Sequence, residues 1–270
     1  MSSSEFAGRN VLVTGAGSGI GAAAARAFAT AGATVFLADL PHSSGAELVA
    51  ELGSSGATAE FFACDVAKEP EIARLYQSIL GRVERLDVVH VNAGIGWTKT
   101  ITETTLADWE LVLGINLTGA FLTARYALDT MCTARSGALV FTASPHAHRS
   151  LAETGAYAVS KAGMLALMRA VALEGARFGV RANAVSPGAI DTPALRAEAE
   201  LAGDVETALR QWGSGRPLGR IGSTAEIADA VLYLASQAAS YTTGTELIVD
   251  GGLMAALPTD QHTRPDLRTS

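Results

Sequence analysis

The sequence predicts an α/β fold: a doubly wound, mostly parallel seven-stranded sheet with helices on both faces, in a single domain spanning residues 1–270. Three observations predict it. Seven apolar runs recur at regular intervals, and most are continuous rather than alternating, as strands covered on both faces require. Alanine-rich segments of helical period lie between them. No Pro/Gly/Ser-rich linker divides the chain, and no internal repeat is visible.

The strands are read at NVLVTG (10–15), ATVFLAD (33–39), AEFFACD (59–65), LDVVHVNAG (86–94), GALVFTAS (137–144), VRANAVSPG (180–188) and ELIVDGG (246–252). Helical segments include IGAAAARAFATAG (20–32), EPEIARLYQSIL (69–80) and TAEIADAVLYLAS (224–236). Right-handed crossovers in such a sheet put ligands at the carboxyl ends of the strands. Residues 191–222 are the one weakly patterned insertion and are expected to form a substrate loop or lid. The polar stretch 253–270 is expected to be a C-terminal tail.

Composition narrows the function. Apolar residues make up 49% of the chain and charged residues 17%, enough to bury a sizeable core. The net charge of −7 argues against nucleic acid, which draws on clustered Lys and Arg. No run approaches eighteen uninterrupted apolar residues, so no membrane span is expected. The start, MSSSEFAGRN, lacks the basic and apolar regions of a secretory signal. Cys64 and Cys132 are the only cysteines and are expected to be reduced, in keeping with a cytoplasmic setting. Neither has metal-ligand spacing to a histidine, so no metal site is expected.

VLVTGAGSGIGAAAA runs from a strand into a helix through glycines 15, 17, 19 and 21. Such a turn brings backbone close to a ligand and offers free N–H groups and the helix dipole to a phosphate. Read as G-x-G-x-x-G/A, the register Gly17, Gly19 and Ala22 fits. Asp39 ends the second strand where a carboxylate hydrogen-bonds a ribose 2′-hydroxyl and repels a 2′-phosphate. No arginine follows closely in ADLPHSSG, so NAD is favoured over NADP. Asp65 closes the third strand near an adenine, and Asn92, Ala93 and Gly94 close the fourth with small residues.

Tyr157 and Lys161 stand four apart in ETGAYAVSKAGML, in a chain with three lysines against seventeen arginines. Residues at i and i+4 share a helix face. An ammonium about 4 Å from a phenol, at an effective dielectric of about 20, is worth roughly 4 kcal/mol to the phenolate. That is about three pKa units, which would bring tyrosine towards working pH as an acid/base. Ser144 ends the fifth strand thirteen residues earlier, where its hydroxyl can hold a substrate oxygen against the phenol. Asn116 lies in an apolar helix, LGINLTGAF, either with a functional reason or as a kinking or capping residue.

Together these residues resemble the short-chain dehydrogenase/reductases, in their shorter single-domain branch with a Rossmann-type sheet. TGAGSGIG (14–21), NAG (92–94), Asn116, Ser144, YAVSK (157–161) and SPGAIDTP (186–193) match that family's motifs in order. GRIGSTAEIADAVLYLAS (219–236) and TGTELIVDGG (243–252) resemble its C-terminal part, so the likeness covers about 8–253. The resemblance implies that Tyr157 is the acid/base, that Lys161 lowers its pKa and holds the nicotinamide ribose, and that Ser144 orients the substrate. It implies that Asn116 anchors a water linking Lys161 to solvent. The cofactor contacts implied are Gly15, Ser18, Gly19, Ile20, Gly21, Asp39, Leu40, Asp65, Val66, Asn92, Ala93, Gly94, Tyr157, Lys161, Pro187, Gly188, Ile190 and Thr192. The substrate contacts expected are Gly96, Trp97, Ser144, His146, Thr154 and Tyr157.

One departure is local: TASPHAH has Ala143 where many relatives carry a second serine, and adds His146 and His148. Those histidines are read as binding a polar or acidic substrate, as a second titrating group, or as incidental loop residues. Trp97 is read as a pocket, packing or interface residue. The implied activity is an NAD-dependent hydride transfer on a small secondary alcohol or ketone, such as a polyol, sugar or cyclic alcohol. A 3-oxoacyl-carrier-protein reductase shares the motifs, but Asp39 and the acidic charge weigh against it. In enoyl reductases the tyrosine and lysine lie further apart. A catalytically silent NAD-binding protein is the alternative outside the enzymes. The resemblance also implies a homotetramer, with helices around 105–130 and 155–178 paired across a dimer.

Overall fold

In the computed structural model, which describes residues 4–256, the seven runs form one all-parallel sheet in the order β3-β2-β1-β4-β5-β6-β9. Its strands are β1 (Asn10–Thr14), β2 (Thr34–Asp39), β3 (Ala59–Ala63), β4 (Val88–Val91), β5 (Gly137–Thr142), β6 (Val180–Pro187) and β9 (Glu246–Val249). The order reverses between β1 and β4, which pair at Val11–Val88 and Leu12–Val89. The crevice above such a reversal is where doubly wound sheets take ligands. All the strands but β2 end one to three residues before their apolar runs do, because the chain lifts off the sheet there to wall that crevice.

Two cores flank the sheet. On one face α1 (Gly19–Thr30), α2 (Gly45–Ser54) and α9 (Thr224–Ala235) bury Phe28, Leu48, Val231 and Leu232 against Val11, Val13 and Leu37. On the other, α3 (Glu69–Leu80), α5 (Gly119–Ala134) and α6 (Gly155–Ala176) bury Ile72, Met131, Met164 and Met168 against Leu139 and Phe141. The stretches Leu106–Ala134 and Gly155–Ala176 are long and apolar enough to cross a membrane, at mean hydropathy 1.4 and 1.3. Here α5 and α6 pack on the sheet, in line with the expectation of helices on both of its faces.

The first of those stretches is not one helix. α4 (Leu106–Leu113) opens on a capping box between Thr105 and Asp108, and a π-helical turn (Gly114–Thr118) then separates it from α5. The insertion at 191–222 folds into α7 (Pro193–Ala202) and α8 (Val205–Ser214), which share a small core of Ala199, Ala208 and Leu209. Its two ends are tied by a short ladder, β7 (Ile190–Asp191) on β8 (Gly222–Ser223). The expected tail at 253–270 begins as a 3-10 turn (Leu253–Ala255), and residues 257–270 lie outside the described region.

Candidate active site

A cleft of about 490 Å³ opens at the carboxyl edge of the sheet, between the turn after β1 and the start of α7. Of the expected contacts, Gly15, Ser18, Gly19, Ile20, Asp39, Leu40, Asp65, Val66, Asn92, Ala93, Gly94, Gly96, Tyr157, Lys161, Pro187, Gly188, Ile190 and Thr192 line it. The glycine turn is shaped by need. Gly15 has φ +63°, and a side chain there would press 2.8 Å from the Ala93 backbone. A Cβ at Gly21, which does not line the cleft, would overlap the Gly15 carbonyl. Gly21 therefore serves the close packing of turn on helix rather than direct contact.

Asp39 is clamped by two backbone donors: Gly17 N–H at 2.7 Å and Leu40 N–H at 2.7 Å. Its carboxylate is thereby held at the rim where β2 ends. The opposite wall is fixed by Asn92, whose amide donates to the carbonyls of Thr14 at 3.0 Å and Gly15 at 3.2 Å. Thr142 donates to Asn92 Oδ1 at 3.0 Å, so its hydroxyl oxygen must accept from His90 Nε2–H at 2.9 Å. Donor counting fixes the imidazole tautomer, and burial drives the His90 pKa down to about 3. Thr14, His90 and Thr142 were not singled out from the sequence. The register that stacks His90 on Val140 is invisible in one strand alone.

At the reacting end, Ser144 and Lys161 are buried, at 4% exposure each. Lys161 Nζ donates to the Thr142 carbonyl at 2.8 Å and lies 5.7 Å from the centre of the Tyr157 ring. Burial lowers the Lys161 pKa to about 8. The Tyr157 phenol moves the other way from the expected lowering: burial raises its pKa, and the Ser144 hydroxyl only partly opposes this. Lys161 faces the ring rather than acting measurably on the hydroxyl, and desolvation dominates the phenol at this depth.

Asn116 is fully buried in the π turn, and its amide brackets Ile95, accepting from the N–H at 2.8 Å and donating to the C=O at 2.9 Å. It also donates to Ser160 Oγ at 3.1 Å. A methyl placed on Gly94 would lie 3.2 Å from Asn116 Oδ1 and 3.5 Å from Lys161 Nζ, so both groups converge there. The extra residue of a π turn re-aims a side chain, which gives this polar amide its reason.

The expected substrate contacts divide. His146 stands edge-on to Tyr157, with ring centres 5.6 Å apart, and its Nδ1 meets Thr154 Oγ1 at 3.2 Å. Thr154 thus holds His146 rather than lining the cleft. His148 turns away to Glu246 on β9 at 2.5 Å, so it takes no place at the cleft. Trp97 packs under Lys99, whose Nζ sits 5.2 Å from the ring centre, and does not line the cleft either. Thr192 lines the cleft while its hydroxyl caps α7, accepting from Leu195 N–H. The wall from α7 also brings in Leu195 and Glu198, which the weak pattern of that insertion had hidden.

A glycine turn, a clamped acid at the end of β2, and a Tyr–Ser–Lys–Asn cluster on the same sheet edge define an oxidoreductase of the nicotinamide-nucleotide type. A family model described as enoyl-(acyl carrier protein) reductase matches residues 15–254. The cis-4-hydroxycyclohexanecarboxylate dehydrogenase of Sinomonas cyclohexanicum is 40% identical over 252 residues, covering 93% of this chain and 98% of that protein. The L-fucose dehydrogenase of Oryctolagus cuniculus is 37% identical over 252 residues, covering 93% and 87%. The ligand-free aldohexose dehydrogenase of Thermoplasma acidophilum superposes with a TM-score of 0.87 at 32% identity, covering 96% of this chain and 98% of that one. The chain belongs to the short-chain dehydrogenase/reductase family.

Proposed function

We propose that this chain is an NAD-dependent oxidoreductase that interconverts a small secondary alcohol and its ketone, the alcohol being a polyol, a sugar or a cyclic alcohol. The observation that carries the reading is the convergence of Tyr157, Ser144, Lys161 and Asn116 beside the glycine turn. The dehydrogenases that resemble it support a CH–OH substrate.

The residues fit the nucleotide. Gly15, Gly19 and the first turn of α1 would hold the pyrophosphate, and Asp39 the adenosine ribose. Asp65 and Val66 would flank the adenine, while Pro187, Gly188 and Ile190 would line the nicotinamide. Preference for NAD over NADP rests on Asp39 and on the cleft's cations: among the described residues lining it, Lys161 is the only one. The nicotinamide supplies the hydride acceptor or donor. Tyr157 passes the proton to or from the substrate oxygen, and Ser144 holds that oxygen in place. Lys161, with its pKa near 8, exchanges a proton near neutral pH and would hold the nicotinamide ribose, with Asn116 as its link towards solvent.

A 3-oxoacyl-carrier-protein reductase is disfavoured by the same acidic cleft and by the net charge of −7. Unpaired thiols at Cys64 and Cys132 support a cytoplasmic setting. The apolar groove between α5 and α6, with Phe121, Tyr126 and Leu173, supports pairing of subunits towards a homotetramer. The test is to mix the protein with NAD and a panel of secondary alcohols and follow NADH absorbance. Turnover of at least one alcohol is expected. NAD binding with no turnover of any alcohol or ketone would favour the silent binding protein instead.

A further inference from the structure

The charges around the cleft are lopsided. Three carboxylates line it (Asp39, Asp65 and Glu198) against the single ammonium of Lys161, which is already directed at the Thr142 carbonyl. Asp39 and Asp65 end β2 and follow β3, at the nucleotide side. Glu198 is different: it lines the cleft from α7, one helical turn beyond Leu195 and away from the strand ends that carry Asp39 and Asp65. His146 stands against the edge of the Tyr157 ring. The cleft that holds Tyr157 is thus lined beyond the nucleotide side by one carboxylate, with the half-buried imidazole of His146 packed behind the Tyr157 ring and no free cation among the described lining residues.

We infer that Glu198 selects the substrate's charge: this enzyme takes an uncharged alcohol bearing further hydroxyl groups, or its ketone, and excludes alcohols carrying a carboxylate. The inference rests on the oxidoreductase reading above and narrows its substrate. A second hydroxyl can donate to Glu198, an interaction that a carboxylate at the same place converts into repulsion, and the one cation among the described lining residues, Lys161, is already held by the Thr142 carbonyl. Because Glu198 is exposed, the repulsion is screened by salt and acts on discrimination rather than on the chemical step.

The experiment compares kcat/KM, with NAD, for matched pairs of neutral and anionic alcohols: a cyclic diol against the same ring with a carboxylate replacing the second hydroxyl, and an open-chain pair built likewise. The wild-type protein should favour the neutral member by about tenfold or more at low salt, and by less at high salt. Glu198→Gln should shrink the ratio to about threefold or less, and Glu198→Lys should invert it. Equal use of both members by the wild-type protein, or a ratio unmoved by Glu198→Gln, overturns this inference and leaves the oxidoreductase reading standing. Turnover of no alcohol in the panel overturns both.

Discussion

The nucleotide end of the cleft and its substrate end are built by different means. At the nucleotide end the wall is backbone: the Gly15 and Gly19 turn, two N–H groups on Asp39, and an Asn92 amide braced by Thr142 and His90. At the substrate end the wall is side chains from segments far apart in sequence, namely Leu195 and Glu198 on α7 and Tyr157 on α6, the last backed by His146 after β5. A backbone wall tolerates almost no change, because there is nothing to rotate away. A side-chain wall can be rebuilt residue by residue, which is how one fold serves many substrates.

Substitutions at the nucleotide end should therefore cost most. Gly21→Val would drive a side chain into the Gly15 carbonyl, and is expected to abolish NAD binding in titration calorimetry while lowering Tm. Survival of NAD affinity would break the contrast at its stronger side. Acid should attack the same end. His90 is buried neutral, with a pKa near 3 against an unfolded value near 6.5, so the unfolded chain binds the extra proton between those values. Stability is then full above pH 6.5 and falls as pH drops towards 3, by up to about 5 kcal/mol. His90→Gln keeps a donor towards Thr142 without titrating, and its acid unfolding curve should be flatter over that window.

Smaller effects mark the rim. Asp39→Ala should raise the NADP-to-NAD ratio of kcat/KM by about tenfold or more, since the carboxylate makes an attraction to one cofactor and a repulsion to the other. An unchanged ratio would remove Asp39 from the ribose. The least effect is expected for His148→Ala. Its partner Glu246 lies on β9, outside the cleft, and a partly exposed pair of this kind is worth about 0–1 kcal/mol. Substrate preference should stay within about threefold of wild type in steady-state kinetics. A larger change would show that the His146–His148 loop acts as one unit.

The two ends also differed in how far the sequence disclosed them. The five inner strands are buried on both faces and cannot hide their apolar runs, and the part-buried edge strands β3 and β9 still carry short ones, so all seven, and the glycine turn hung on the first, were legible. Tyr157, Lys161, Ser144 and Asn116 were legible because fixed spacing puts them on adjoining sheet ends and helix faces. The π turn that aims Asn116 was not, since helical periodicity continues through it on both sides. Nor was the His90–Thr142–Asn92 chain, which exists only once β4 and β5 are in register. Glu198 escaped notice because α7 and α8 bury little beyond Ala199, Ala208 and Leu209, leaving almost no apolar pattern to read. The direction of the Tyr157 shift was misjudged for a related reason: spacing shows a neighbouring charge but not the depth of burial.

The central claim is that the Tyr157 hydroxyl carries the proton while the surrounding wall binds the nucleotide without it. Tyr157→Phe, measured for NAD affinity by fluorescence quenching and for turnover by NADH formation, tests this directly. Affinity within about threefold of wild type, together with turnover reduced by about a thousandfold, is the predicted result. Turnover within about tenfold of wild type would contradict it.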